Sequence, residues 1–355
     1  MTRPQAEHAA WIAGGVGIAG VVVGSILAPA TFPHAWLAAL TAWLGWPLGC
    51  MGLLLIHALT GGRWGYAIRS QLVAGMSTLL LLLPAIIPLL IVLPTLYPWA
   101  RPDAAAHLDN RLYLNLPFFL GRGLAYLIVW FGLAGLILRA LGRDSPEASL
   151  ARIAPAGLIL LAITVTYSAI DATMSLDPLF ASSAYGLIAI AEMGLLALSV
   201  SVFAVTLGPA LDDDTLRVLG KLLLGFLILW AYLDFMQVLI VWQSDLPNEA
   251  PWYIVRSTGG WGIVAALVAA CHFVLPFFAL LSPRLQRSPR CIACVTALLI
   301  LSEVVRGWWL VVPASGRSFG LVDIFAMVCL LGIASALALR VPLLPGMPEI
   351  VRRHA

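Results

Sequence analysis

Ten runs of roughly 20 or more apolar residues follow one another through the chain, each ended by proline, glycine or charge. They lie near 11–30, 35–60, 67–93, 115–138, 153–172, 184–207, 217–242, 257–281, 291–312 and 318–339. A run of that length matches the hydrocarbon thickness of a bilayer when helical. Only 10% of the residues are charged, against about 25% in a soluble domain, so there is too little polar surface to meet water. The expected fold is all-α: a polytopic membrane protein of about ten transmembrane helices, one integral membrane domain over residues 1–355. The third run carries Pro84, Pro88 and Pro94 and is expected to bend.

A net charge of +3 gives no footprint for nucleic acid. Cys50, Cys271, Cys291, Cys294 and Cys329 lie in or at the ends of apolar runs, which is not the pattern of a disulfide framework. Cys291 and Cys294 have CxxC spacing but no second ligand pair, so packing is the expected role. The first run ends in Ala28-Pro29-Ala30, a sequence like a signal-peptidase site. It is longer than the usual signal core of about 7–15 residues, and an acid, Glu7, precedes it. A retained helix is expected. Gly20 and Gly24 on it would let a neighbour pack closely.

The basic residues set an orientation. Arg3, Arg63, Arg69, Arg139, Arg143, Arg152, Arg217, Lys221, Arg284, Arg287, Arg290, Arg340, Arg352 and Arg353 fall at the chain ends and alternate connections. Arg101, Arg111, Arg122, Arg256 and Arg317 fall on the other side. The richer side should face the cytoplasm, with both termini. Asp212-Asp213-Asp214 is acidic on that side, but it opens a helix, where carboxylates cap free amides.

A charge near the bilayer centre costs about 2.5–3.5 kcal/mol or more, so each needs a partner or a purpose. Arg122, Glu192, Asp234, Glu303 and Arg306 fall within the runs, and Asp171 at an outer end. Thr164, Tyr167, Ser168 and Asp171 form one helical stripe; Tyr185, Glu192 and Ser199 another; Trp230, Asp234 and Gln237 a third; Arg122 and Tyr126 a fourth. The stripes are expected to converge on an interior or wet cavity. Two roles fit: ion pairs that hold helices together, or a proton path using Asp171, Glu192, Asp234, Tyr167, Gln237 and His272. Glu303 and Arg306, one turn apart, are expected to neutralise each other, and Arg122 to be a structural charge. His57 and His272 are the histidines within runs. Interior hydrogen bonding suits them better than haem ligation, and no metal site or catalytic constellation appears.

Three outer segments carry a resemblance. They are Leu114-Asn-Leu-Pro-Phe-Phe-Leu-Gly-Arg122, then Asp171-Ala-Thr-Met-Ser-Leu-Asp-Pro-Leu-Phe-Ala-Ser-Ser-Ala-Tyr-Gly186, then Tyr232, Asp234, Phe235, Gln237, Val241-Trp242, Leu246-Pro247, Trp252-Tyr253, Arg256 and Gly259-Gly260-Trp261. Together they resemble the NrfD-like membrane subunits of bacterial alternative complex III, most nearly the ActF type. The chain departs from the usual Asn-Leu-Pro-Glu at Asp245-Leu246-Pro247-Asn248.

The resemblance implies two four-helix bundles plus two flanking helices in the bacterial inner membrane. It implies a subunit of a quinol-oxidising complex that binds no cofactor itself. Quinol, iron–sulfur clusters and haem c would be held by partners: a larger NrfD-like subunit, an iron–sulfur subunit and a multihaem subunit, with a terminal oxidase as a further neighbour. Two other readings stand beside this one. The chain could be a structural subunit whose outer connections, with Trp252 among them, dock the cluster- and haem-bearing proteins. It could also be a stand-alone transporter with a midplane site.

Overall fold

Local start signals set the helix boundaries. Asn115 accepts a hydrogen bond from the Phe118 amide at 2.9 Å, with Pro117 in the first turn. Ser288 accepts from the Cys291 amide at 3.3 Å, with Pro289 next. Asp212 accepts from the Thr215 amide at 2.8 Å. Each side chain satisfies an amide that the first turn leaves free, and the third meets the expectation for the acidic triplet.

The structure is a computed structural model that describes residues 2–101, 110–209, 211–244 and 246–342. Asp245, Arg352 and Arg353 lie outside the described residues. Among the described residues ten helices are long and apolar enough to cross a membrane. They are α1 (Arg3–Leu27), α2 (Phe32–Thr60), α3 (Arg63–Ile91), α4 (Leu116–Leu141), α5 (Pro146–Leu176), α6 (Tyr185–Thr206), α7 (Asp213–Ser244), α8 (Trp261–Leu281), α9 (Pro289–Ser315) and α10 (Leu321–Arg340). No strand occurs among the described residues. The protein is an all-α, multi-pass membrane protein.

Prolines interrupt the regular helix in two spans, in α3 as expected and in α8, where no bend was expected. In α3 the helix tightens to a 3₁₀ turn at Thr78–Leu81, just before Pro84, whose ring displaces the carbonyl four residues earlier. The helix stops at Ile91, and a short helix, Leu93–Leu96, follows. In α8 a π-helical stretch, Ala269–Val274, precedes Pro276. The wider turn takes up the missing amide of that proline and turns His272 into the interior, where it is 2% exposed.

Helix pairs group the spans. α6, α7, α8 and α9 close a ring, each packed on the next and α9 back on α6. α2 packs on α3 and α5, and α5 on α4. α2 and α6 also face each other, which makes them the most enclosed spans, 72% and 67% buried. Lipid tails are as apolar as leucine, so close packing, not hydrophobicity, must hold such helices.

α1 and α10 flank this core as an antiparallel pair. A Cβ on Gly17 would lie 2.3 Å from the Cys329 amide nitrogen, and one on Gly332 would lie 2.6 Å from that of Gly14. Gly20 meets the Phe325 ring and Gly24 the Val322 side chain. Expected contacts through Gly20 and Gly24 are present, and Gly17 allows the closest approach of backbone to backbone. At the far end Arg3 donates to Leu339 O and Val341 O, and Arg340 pairs with Glu7 at 2.7 Å. The two ends of the described chain therefore meet on one side.

Candidate functional site

The ionisable stripes converge on two centres. In the larger one, Arg306 of α9 bridges Glu192 of α6 and Asp234 of α7; the Nη2–Oδ1 distance to Asp234 is 3.2 Å. Its guanidinium carbon lies 5.4 Å from the Trp230 ring centroid, and it is 4% exposed. Glu303, one turn before Arg306, is not its partner. Its carboxyl stands next to Glu192 and 3.8 Å from His272 Nε2. The expected Glu303–Arg306 neutralisation is thereby corrected. Arg306 is extended toward two other helices, and a planar fork satisfies two carboxylates better across the bundle than along its own helix.

His272 extends this centre along α8. Its Nδ1 lies 2.8 Å from Ser302 Oγ, whose hydroxyl donates to Leu299 O at 3.0 Å. The serine proton is thus committed, so the imidazole donates from Nδ1 and turns Nε2 toward Glu303. Trp230 stands at its edge, 4.4 Å between ring centroids. His57 is elsewhere, near the opposite end of α2, with Nε2 donating to Gly62 O at 3.0 Å.

On the other flank Gln237 donates to the Tyr253 hydroxyl at 2.9 Å and accepts from Ser182 at 2.8 Å. Burial raises the Tyr253 phenol above its ordinary value, opposed by the Gln237 bond. The ring therefore keeps a proton to donate.

A cavity of about 120 Å³ opens among these groups. Glu192, Asp234, Glu303, Arg306, Gln237 and Tyr253 form its polar wall. Leu40, Leu44, Ile188, Met193, Trp309 and Leu310 are on its apolar wall. The volume is enough for several water molecules. Three carboxyl groups around it can exchange protons among themselves and with whatever fills the space, beside the fixed positive charge of one guanidinium.

The second centre is sealed. Asp171 of α5 takes both oxygens to Arg122 of α4, at 2.9 and 2.8 Å. Tyr126 donates to it at 2.7 Å, and Arg122 donates on to Tyr113 O at 3.0 Å while lying 3.8 Å over the Tyr113 ring. Both charged residues are buried, and burial with the Asp171 charge pushes the Tyr113 phenol up. Such a fork-on-fork pair is geometrically complete.

Asp171 is thus not part of the layer containing Glu192 and Asp234. Its stripe divides because α5 has interior neighbours on two sides. Thr164 accepts from the Trp130 indole of α4 at 2.9 Å, whereas Ser168 lines the cavity. Tyr167 faces outward, 45% exposed, and meets the second centre only at the Tyr113 ring, 6.5 Å between centroids. Tyr185, with Ser199 and Gln237, is interior as expected.

The connections expected on the outer side fold back on the helices. Trp252, in a short helix, Ala250–Val255, stacks on Phe180 at 4.4 Å and is 2% exposed. Arg256 closes over it at 3.3 Å and donates to Leu310 O at 2.6 Å. Desolvation in this site pulls the Arg256 guanidinium down to about 10. Trp99 is buried as well, 5.0 Å from the Phe119 ring. These aromatics brace the protein from within, and the neighbours of Trp252 lie inside this chain. Arg256, Ser182 and Tyr253 were not separable from loop residues by spacing, because their partners come from α9, α7 and the turn before α6. Asp323, 0% exposed and paired with Arg317 at 2.6 Å, was signalled only by an acid at the start of a span.

The five cysteines are free thiols. Among the described residues no group of three or more His, Cys, Asp and Glu side chains is placed to hold a metal. No known protein-family model matches the chain, and no curated protein matches it.

Proposed function

We propose that this chain is an NrfD-like integral membrane subunit of a quinol-oxidising respiratory complex. In this reading the Glu192–Asp234–Glu303 cluster around Arg306 takes up and releases protons. The observation that carries it is the imbalance of that cluster: three carboxyl groups share one guanidinium beside a cavity, at a depth where a merely structural site would be balanced by charge. His272, facing Glu303 from α8, offers a continuation along the bundle, and the Tyr253–Gln237–Ser182 chain offers one toward the outer end.

The three outer motif segments support membership of the alternative complex III group. The arginine distribution supports a bacterial inner-membrane setting with cytoplasmic termini. Electron carriers would then reside on partners: the larger NrfD-like quinol subunit, the iron–sulfur subunit and the multihaem c subunit. Mass spectrometry of what co-purifies from membranes tests that assignment, and a chain that travels without haem proteins would overturn it.

The proton role is tested in the intact complex by Asp234→Asn and Glu303→Gln. Quinol oxidation coupled to proton release should fall in both. Unchanged oxidation and release in both would leave the chain a scaffold.

A further inference from the structure

The basic residues on the side that holds both chain ends are not all engaged alike. Arg69 pairs with Glu147 at 3.1 Å, Arg340 with Glu7 at 2.7 Å, and Arg63 reaches Asp212 at 4.0 Å. Arg3 donates to Leu339 O and Val341 O, and Arg152 to Ala148 O. Another group has no such partners. The side chains of Arg217, Lys221, Arg284, Arg287 and Arg290 make no hydrogen bond or ion pair among the described residues.

Packing brings these five together. Arg217 and Lys221, four residues apart, share a face of α7. A Cβ on Gly220 would lie 3.1 Å from Gln286 Cγ and 3.4 Å from Ile292 Cδ1, so the connection from α8 to α9 sits against that stretch of α7. Gln286 is buried and donates to Leu280 O at 2.7 Å, which fixes a 3₁₀ turn, Leu285–Arg287. Arg284 and Arg287 flank Gln286, and Arg290 stands in the first turn of α9; all three are exposed. Lys221 is exposed too. Side chains lean toward the N-terminus of their helix, so Lys221 extends back along α7 toward Arg217 and the interface. Asp213 and Asp214, exposed in the first turn of α7, are the acids nearest in sequence, and neither forms an ion pair with any of the five.

Five like charges gathered in this way repel one another, and Arg217 keeps a buried guanidinium nitrogen, Nε, without a partner among the described residues. An anion between them would relieve both. The surrounding surface selects the kind of anion. Val218, Leu281 and Leu285 are exposed apolar side chains beside the cations, and Phe278, 66% exposed, follows one turn deeper on α8. A phosphate at the interface with acyl chains below it meets the charge and the apolar surface together, whereas a soluble phosphate meets only the charge.

We infer that this patch holds an anionic phospholipid of the leaflet on the side of the chain ends. Arg284, Arg287 and Arg290 surround its phosphate, Arg217 and Lys221 stand on the flank, and the acyl chains run along Val218 and Leu281. Each basic residue near an anionic membrane surface strengthens such binding about fivefold. The inference concerns the lipid-facing surface and is independent of the quinol-complex reading.

Lys221 is the one lysine in the sequence, which gives a test on the unaltered protein. The full-length chain in phosphatidylcholine nanodiscs is treated with an amine-reactive ester, and peptide mass spectrometry reads acylation of Lys221 against that of the N-terminal amine. Replacing part of the lipid by phosphatidylglycerol should slow the Lys221 reaction about fivefold relative to that reference. In native mass spectrometry from mild detergent, one phosphatidylglycerol should stay bound where phosphatidylcholine leaves. Arg284→Gln, Arg287→Gln and Arg290→Gln together should weaken that binding at least about tenfold. Arg139→Gln with Arg143→Gln, which removes charge from another connection on the same side, should change it less than about twofold. Protection of Lys221 by phosphatidylcholine alone, an equal loss in the Arg139 and Arg143 variant, undiminished binding in the triple variant, or displacement of the lipid by inorganic phosphate would each overturn the inference.

Discussion

Arg306 reaches past Glu303, its neighbour one turn away, to Asp234 on another helix, 3.2 Å between Nη2 and Oδ1. With Glu192 on its other side, a single guanidinium ties α9 to α6 and α7. The four-helix ring is thus closed by charge at the level where its polar cavity begins.

Removing that guanidinium should be severe. Arg306→Met leaves two carboxylates uncompensated in the interior, a change expected to cost about 3–5 kcal/mol. Thermal unfolding in detergent measures it. Combining Arg306→Met with Glu192→Gln and Asp234→Asn should recover most of the loss. A triple variant no more stable than the single one would show that the ion pairs are not what the arginine supports.

Asp171 should behave as structure rather than as a proton carrier. Asp171→Asn leaves Arg122 buried without its carboxylate and should lower stability by about 3 kcal/mol. Activity per folded complex should remain. Arg122→Met with Asp171→Leu should lie close to the unaltered protein, since a buried pair is often replaceable by apolar residues. A loss of turnover in folded Asp171→Asn would contradict this division of roles.

Trp252→Ala should loosen the outer connection from within. Phe180 and Arg256 lose the ring they pack on, at a cost of about 3–5 kcal/mol. Limited proteolysis should then cut near residues 246–260 before the complex dissociates. Dissociation with intact protease resistance would return Trp252 to the role of a partner contact.

Gly17→Leu should separate α1 from α10, because the new side chain would meet the Cys329 backbone and not a movable side chain. Gly15→Ala, with nothing within 4 Å, is the matched control and should be neutral. Exchange protection of the α1 amides distinguishes the two.

Asp212→Ala should cost about 1 kcal/mol as the loss of an N-cap. Thr215, whose hydroxyl and amide face it, holds the Asp212 carboxyl below its ordinary range. The contribution is therefore present above the unfolded-state value and is lost as pH falls through the lowered folded one. Stability profiles of the two proteins should converge in acid. A constant gap across the acid range would disprove the capping role.

Hydrophobic run length was enough to place all ten spans, because a bilayer accepts only long apolar helices and every backbone group must be paired within them. The cap at Asp212 was legible for the same local reason: a free amide needs an acceptor two or three residues away. So was the inward turn of Glu192, Asp234 and Gln237, since hydrocarbon rejects such side chains. Pairing was decided by tertiary structure alone. Arg306 could reach carboxylates on its own helix and on two others, and only the packing of α6, α7 and α9 chose between them. Helical periodicity likewise marks a face of α5 without saying that α4 covers Asp171 while the cavity takes Ser168 and Tyr167 is left outside. Facing inward is a property of each residue and the solvent it avoids, whereas a partner is a property of two distant segments brought together.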